Sequence, residues 1–421
     1  MERQQALFLS LLKEELIPSL GCTEPISIAY TAALARRLLG REPDRLEVLC
    51  SGNVIKNVKA VTVPNSGGLK GIAAAAILGA LGGDPDRELE VLSPVTDHHR
   101  ARTRGLLSTG FCHCGHLESE STLDILVIAA REDHTATVRV RDHHTHIVAM
   151  EKDGKSVLAH HPEVRTQAPE EPQWSLDAIL DFAETVDADS LRPILARQVD
   201  MNCAIADEGL RRPYGAGVGP LLLQNRQADV ATLARARAAA GSDARMSGCA
   251  MPVVINSGSG NQGLTVCLPV VTYARALWVG EEKTLRALAL SNLIAMYQKR
   301  QIGCLSAYCG AVCAACGSGA AITWLHGGSR EAIGQTVVNT MAVVGGMLCD
   351  GAKPSCAGKI AACVEAAILG HRMAMAGTGY GPGEGLVKAT ADETIRCYGT
   401  VAREGMGETD RVILAKMLED D

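Results

Sequence analysis

Two cysteines seven residues apart, in Cys349-Asp350-Gly351-Ala352-Lys353-Pro354-Ser355-Cys356, flank a glycine, a lysine and a proline. That is the composition of a turn, not of a core. A third thiol, Cys309, lies upstream in Ser306-Ala307-Tyr308-Cys309-Gly310. Three thiols from two turns, with no fourth beside them, suggest a metal centre with one coordination position open. An open position is what chemistry on a bound substrate requires; a closed four-cysteine site is more often structural or electron-carrying. The spacings match neither the C-x2-C-x2-C run of ferredoxins nor paired C-x2-C zinc knuckles. Cys304, Cys313 and Cys316 crowd the same region, and Cys313 and Cys316 fit a buried, cysteine-rich helix.

A second constellation is Gly21-Cys22-Thr23-Glu24-Pro25. A cysteine just ahead of a helix sees the positive end of its dipole, which favours thiolate. Such a thiolate could be a base, a nucleophile or a metal ligand. The alternative is that Thr23 caps the helix and Cys22 is incidental. As a base, a thiol lowered to about 7 would suit proton transfer near neutral pH, and Glu24 is its nearest rival.

Two loops look built for a small anion. Asn256-Ser257-Gly258-Ser259-Gly260-Asn261-Gln262-Gly263 leads into a helix, and Pro64-Asn65-Ser66-Gly67-Gly68 opens another. Neither has the terminal lysine of a phosphate-binding loop or the spacing of a dinucleotide fingerprint. Backbone N–H groups at Asn65, Ser66 and Gly67, with Ser257, Ser259, Asn261 and Gln262, suit a carboxylate. Histidine segments offer a rival metal reading: Asp97-His98-His99, Cys112-His113-Cys114-Gly115-His116 and His143-His144-Thr145-His146. In an alternating strand His144 and His146 share one face and His143 the other, so one tetrahedral site would need two such segments to meet.

The elements that must position these groups follow from patterning. Residues 4–17 carry leucines at helical spacing, closed by Pro18 and Gly21. A small-residue helix is predicted over 26–39, strands over 45–50 and 58–63, and helices over 69–81 and 94–109. Strands follow at 123–130, 135–141 and 145–151. Residues 161–173, polar and proline-rich, read as a linker. Beyond it helices are predicted over 175–187, 190–208, 226–240, 263–278, 282–298, 306–325, 329–345, 356–376 and 408–419, with a glycine-rich loop at 377–386. The expected fold is α+β: a mixed α/β domain with a small sheet over 1–165, and a mostly helical, cysteine-bearing domain over 174–421.

Of 421 residues 47% are apolar but only 3% aromatic, with 43 glycines, so the core must be built from small residues that let helices approach closely. A net charge of −6 and the lack of a basic patch with aromatics argue against nucleic acid. No apolar stretch has the length and flanks of a membrane span, and the first residues read as an amphipathic helix, not a signal peptide. Fifteen cysteines with no secretion signal point to a reducing cytoplasm. Small-residue helices suit a homodimer.

Taken together, these stretches resemble the L-cysteine desulfidase family. The resemblance rests on Gly21 to Pro25, Pro64 to Gly71, Ser242-Asp243-Ala244-Arg245-Met246, Asn256 to Gly263, Ser306 to Cys309 and Cys349 to Cys356, in order along nearly the whole chain. The C-terminal half also looks like the iron–sulfur type of L-serine dehydratase, although that enzyme's Ser-Ser-Ser-His-Thr loop is absent. The resemblance implies a [4Fe-4S] cluster on Cys309, Cys349 and Cys356, with Cys22 in the active site. It implies non-redox β-elimination of L-cysteine to pyruvate, ammonia and sulfide. Competing readings are an L-serine or L-threonine deaminase with the same cluster, and a thiol-rich metal-binding protein without turnover.

Cys309→Ser, Cys349→Ser and Cys356→Ser are each expected to lose most bound iron, while Cys313→Ala and Cys316→Ala keep it. Iron content and absorption of anaerobically prepared protein measure this. A colourless Cys313→Ala beside a brown Cys356→Ser would overturn the ligand set.

Overall fold

Helix α1 (Glu2–Glu15) points Phe8 and Leu12 inward, and strand β1 (Pro18–Leu20) follows it. The computed structural model describes residues 2–158, 170–224 and 228–419. At Gly21 the chain turns with φ +60°, and a Cβ there would stand 2.1 Å from Pro64 Cγ. Only glycine fits, and the contact sets the 64–68 loop beside Cys22. Helix α2 (Thr23–Leu39) starts directly after Cys22, which is its N-cap. Pro25 is tolerated because first-turn N–H groups have no intrahelical acceptor. Gly40 closes the helix in the left-handed conformation.

Strand β2 (Arg45–Cys50) and helices α3 (Gly52–Val58), α4 (Ile72–Gly82) and α5 (Asp97–Leu106) come next. Then follow β3 (Cys112–His116), β4 (Asp124–Arg131), β5 (His134–Arg141), β6 (Ile147–Lys152) and β7 (Lys155–Ser156). They form one sheet in the order β3-β2-β4-β5-β6-β7, antiparallel except for the parallel β2–β3 pair. Val48, Ile125, Val127, Val138 and Val140 alternate onto the face that α2 covers.

The second part is almost wholly helical: α6 (Leu176–Thr185), α7 (Ala188–Arg211), α8 (Val218–Leu222) and α9 (Val230–Met246) precede the three-residue strand β8 (Pro252–Val254). After it come α10 (Gly260–Ala276), α11 (Glu281–Ile302), α12 (Gly310–Leu325), α13 (Arg330–Val344), α14 (Cys356–Met375), α15 (Ala391–Thr400) and α16 (Met406–Leu418). Strand β8 pairs with β1, and one apolar core runs from Phe8 through the sheet to Tyr398. The α+β class and the helical C-terminal region stand as expected.

Several boundaries differ from the sequence reading. The strand expected at 58–63 is not formed; α3 takes its start, and only Thr62 bridges Lys70. Residues 306–309 are extended, not helical, because Tyr308 bridges Leu348. His143, His144 and Thr145 lie in the turn between β5 and β6, so alternation does not govern them. Strands β3 and β8 and helices α8 and α15 lacked a strong enough pattern to be expected. Of the linker predicted at 161–173, residues 161–169 lie outside the described residues. Among described residues no helix is long and apolar enough to cross a membrane.

Small residues let helix backbones touch. A Cβ at Gly79 in α4 would stand 2.2 Å from the Ala29 carbonyl oxygen in α2, and one at Gly317 in α12 2.2 Å from that of Ser291 in α11. Backbone cannot yield as a side chain can. Gly79→Ala is therefore expected to cost about 2 kcal/mol or more of unfolding free energy, the overpacking scale. Gly105→Ala in α5, where a Cβ meets nothing within 4 Å, should instead gain about 0.5–1 kcal/mol. Denaturant midpoints of the two variants measure the difference, and equal shifts would refute the close-packing account.

Candidate functional site

The Cys309 and Cys349 segments run antiparallel for one bridge. Cys309 N–H donates to Met347 O at 2.9 Å, and Cys349 N–H to Ala307 O at 2.6 Å. The two thiols hydrogen-bond each other. Cys309 is also the N-cap of α12. At Gly351, φ is +93°, and a Cβ would stand 2.3 Å from Lys56 O. The turn after Cys349 therefore lies flat on α3. The Lys56 ammonium, whose side chain is 1% exposed, donates to Cys349 O at 3.2 Å and pairs with Asp410 of α16. Cys356 opens α14, with its thiol 3.8 Å from Gly351 O.

Cys22, 2% exposed, packs with Val61 and Met246, and Ala352 and Cys356 pack against the same small apolar cluster. Its thiol donates to Glu24 Oε2 at 3.0 Å, and Thr23 Oγ1 donates to the same oxygen at 3.2 Å. Asn57 Nδ2 of α3 donates to Glu24 Oε1 at 2.9 Å. Neighbouring residues of α3 thus hold the Glu24 carboxylate (Asn57) and the Cys349 turn (Lys56). That short helix ties the two cysteine-bearing regions together.

The amide-rich loop arrives from α10. Ser259 caps that helix, accepting from Gln262 N–H at 3.5 Å, and Ser257 Oγ donates to Asn256 Oδ1 at 3.0 Å. Gln262 packs against Gly310, the residue after Cys309, and Asn261 Nδ2 reaches Met246 Sδ at 3.7 Å. Asn261 and Gln262 therefore reach the Cys22 and Cys309 surroundings, while the two serines shape the loop. The 64–68 loop is near Cys22, but its polar groups are engaged internally. Asn65 Nδ2 donates to Leu92 O at 2.8 Å and its Oδ1 accepts from Arg100; Ser66 Oγ accepts from Leu69 N–H at 2.9 Å. Gly67 O accepts from Arg104 at 2.8 Å.

Two residues outside the expected substrate-binding and cluster sets also meet here. Arg245, in the last turn of α9, lies against Gly260, where a Cβ would stand 2.3 Å from its Nε. His144 enters from the β5–β6 turn; its carbonyl accepts from Ser27 Oγ at 2.6 Å and its ring faces Gly258. Arg245 was visible in the sequence as part of the Ser242–Met246 stretch and by its place after a run of small residues, where a long charged side chain has little company. His144 was visible only as one member of the His143-His144-Thr145-His146 segment.

Burial pushes the Cys22 thiol well above its ordinary value, and the Glu24 carboxylate beside it adds to the rise. The dipole-lowered thiol expected from sequence is thus reversed, because the helix end is closed off from water and faces a carboxylate. Burial would also raise Glu24, but His144, the Cys22 donor and Arg245 hold it below the usual carboxylate range. The proton of this pair rests on sulfur. In the other thiol pair, donation from Cys309 lowers Cys349 to about 6, aided by Lys56, while Cys309 keeps its proton and is raised. Burial raises Cys356 against the pull of Lys353 and Lys359.

Cys313 and Cys316 are fully buried within α12, away from the turns. Among described residues no group of three or more His, Cys, Asp or Glu side chains converges on a point as ligands of a single ion. Cys112 and Cys114 lie 3.8 Å apart on strand β3.

Residues 86–415 match the family described as serine dehydratase alpha chain. The chain belongs to that family. It is 51% identical to a UPF0597 protein of Lachnoclostridium phytofermentans over 97% of this chain and 99% of the relative. A UPF0597 protein of Desulfitobacterium hafniense is 46% identical, covering 99% of this chain and 98% of the relative. One of Treponema denticola is 43% identical, with 98% of each covered.

Burial holds His144 below its ordinary value, with His143 and Arg245 acting in the same direction and Glu24 against it. The folded chain then binds a proton there less readily than the unfolded chain. The stability from a neutral His144 is present above the unfolded value of about 6.5 and is lost as pH falls below it, by at most about 1.4 kcal/mol per pH unit. His144→Gln should therefore gain on wild type in melting temperature between about pH 7 and pH 5, with no pH-dependent difference above about 7.5. A difference that stays constant across this range would show that His144 titrates as freely as in the unfolded chain.

Proposed function

We propose that this chain is a carbon–sulfur lyase that carries out non-redox β-elimination of L-cysteine to pyruvate, ammonia and sulfide. The observation that carries the reading is the Cys22–Glu24 hydrogen bond in an apolar cluster against which Cys356 packs. It sets a proton-transfer pair beside one of the three cysteines that the turns present. Membership of the serine dehydratase alpha-chain family supports a lyase.

The three cysteines fit a [4Fe-4S] cluster held by Cys309, Cys349 and Cys356. Cys349 has thiolate character near neutral pH, and Lys56, Lys353 and Lys359 offset negative charge around the set. Cys356 lies within electrostatic reach of Cys349, so the two turns present their thiols to one region. When bound, the cluster would supply a Lewis-acidic iron open to the substrate's sulfur.

The chain's own residues do the rest. Asn261 and Gln262 face the substrate's polar end, and the apolar side chains of Val61, Met246 and Ala352 around Cys22 exclude water from the reacting carbons. Glu24 accepts the Cys22 proton, and the Cys22 thiolate then takes the substrate's Cα proton. Its raised value makes that thiolate a strong base once formed. The Cβ–S bond breaks with its electron pair on sulfur, Glu24 returns its proton to the leaving sulfide, and Cys22 is left a thiol; 2-aminoacrylate leaves, and water converts it to pyruvate and ammonia. Atoms balance and no electron is transferred. Asn65, Ser66, Gly67, Ser257 and Ser259 belong to this reading as the loops that shape the substrate's surroundings.

The L-serine reading is the second, because the matching family is named for serine. The apolar, methionine-containing surroundings of Cys22 favour a thiol over a hydroxyl leaving group. Comparing kcat/KM for the two amino acids separates them. With the reaction go a cytoplasmic setting that keeps thiols reduced, a homodimer, no nucleic-acid or membrane partner, and a division into units 1–165 and 174–421 with the site where they meet.

Cys22→Ser is expected to keep the brown cluster and lose turnover by about a hundredfold or more, the scale of removing a general base. Absorption together with pyruvate and sulfide release tests this. A colourless variant would make Cys22 a ligand, and an undiminished rate would make it a bystander.

A further inference from the structure

Arg245 is 2% exposed, its Nε is closed off from solvent without a partner, and among described residues it makes no salt bridge. A guanidinium does not shed its charge at any pH a protein survives. Burying one without a counter-ion costs several kcal/mol, so the fold keeps this cation for something not part of the chain. Glu24, the carboxylate that the charge of Arg245 helps hold ionised, is already committed to other donors. Its Oε1 accepts from Asn57, and its Oε2 accepts from Cys22 and Thr23.

Nearby acceptors are in the same condition. Among described residues Asn261 Oδ1, Gln262 Oε1 and Asn57 Oδ1 are buried and have no donor. Arg245 is pressed against Gly260, next to Asn261 and Gln262, and Asn261 touches Met246 in the Cys22 cluster. Asn57 joins the group through Glu24, which takes its Nδ2 and feels the Arg245 charge, so its oxygen faces away from that carboxylate. One unpaired cation and several unpaired acceptors, all shielded from water, are complementary to a zwitterion. The complement carries an anion and a cationic donor on neighbouring atoms.

We propose that this cluster is the recognition site for a free α-amino acid. Arg245 takes the α-carboxylate, and the amide oxygens of Asn57, Asn261 and Gln262 take the α-ammonium. The Cα–H is thereby directed toward Cys22, and the β-substituent toward Cys356. This rests on the reaction proposed above and assigns the side chains that hold its substrate's two charged groups, with Arg245 as the carboxylate anchor.

The test uses cluster-loaded protein and L-alanine, which has both charged groups and no leaving group. Calorimetry or thermal shift compares it with L-alaninamide, which lacks the carboxylate charge, and propionate, which lacks the ammonium. Wild type should bind L-alanine, and each analogue should bind about thirtyfold more weakly or worse, the scale of unpairing a buried charge. Arg245→Gln should lose the preference for L-alanine over its amide. Equal binding of L-alanine and L-alaninamide by wild type, no binding of L-alanine at all, or an Arg245→Gln variant that still discriminates would each overturn the assignment. If the variant does not fold, the ligand series on wild type decides. Binding of L-alanine through Arg245 without pyruvate from L-cysteine or L-serine would remove the reaction and leave this site standing. Turnover of L-cysteine with an unchanged KM in Arg245→Gln would remove the site and leave the reaction standing.

Discussion

Four helices begin at the same place. Cys22 caps α2, Ser259 caps α10, Cys309 caps α12, and Cys356 is the first residue of α14. Contacts among these ends draw them together: Cys22 with Cys356, Gln262 with Gly310, Asn261 with Met246. Each helix N-terminus carries about half a positive charge in unsatisfied N–H groups. Lys56 and Arg245 add full charges inside the same low-dielectric region. Such a place is costly to build empty and favourable to fill with thiolates and carboxylates. The rest of the molecule is arranged to make that convergence possible.

Small residues are how it is done. A site formed by helix ends needs those helices to pack closely along their length, or the ends would splay. Gly79 against Ala29 and Gly317 against Ser291 bring backbones into direct contact. Gly21, Gly260, Gly310 and Gly351 do the same within the site, each admitting a neighbour that a methyl group would displace. Polar atoms are then satisfied selectively. Glu24 has donors on both oxygens, whereas Arg245, Asn261 and Gln262 are left wanting. What sets these atoms apart is their place, beside the helix ends where the cysteines converge, since a bound ligand there would supply the missing partners.

Much of the local structure was legible in the residues. Leucine spacing in α1, alternation in β4 and β5, and alanine-rich runs in the second part each follow from one dominant period. The two cysteine turns were legible because glycine, proline and lysine do not belong in a buried helix. The strand expected over 58–63 failed because a short apolar run carries no period of its own, and α3 claimed its first residues. The extended 306–309 segment was hidden because its form depends on a partner, Leu348, far along the chain. His144 was hidden for the same reason: its side chain is placed by the turn between β5 and β6 and by Gly258 across from it.

The sequence by itself determined which groups could do chemistry and which elements carry them: the thiols of the two turns, the thiol and carboxylate around Thr23, the amide-rich loop, and an α+β order of elements. Residue type and local period suffice for that, since both are properties of neighbours along the chain. Only the tertiary structure decided what those groups are. A thiol at a helix end is lowered if water reaches it and raised if it is sealed against a carboxylate, and Cys22 is sealed. An arginine in a small-residue helix is a surface charge or a buried one depending on what packs over it, and Gly260 packs over Arg245. Solvation and charge proximity are set by residues distant in sequence, so protonation and partnership could not be read before the chain was folded.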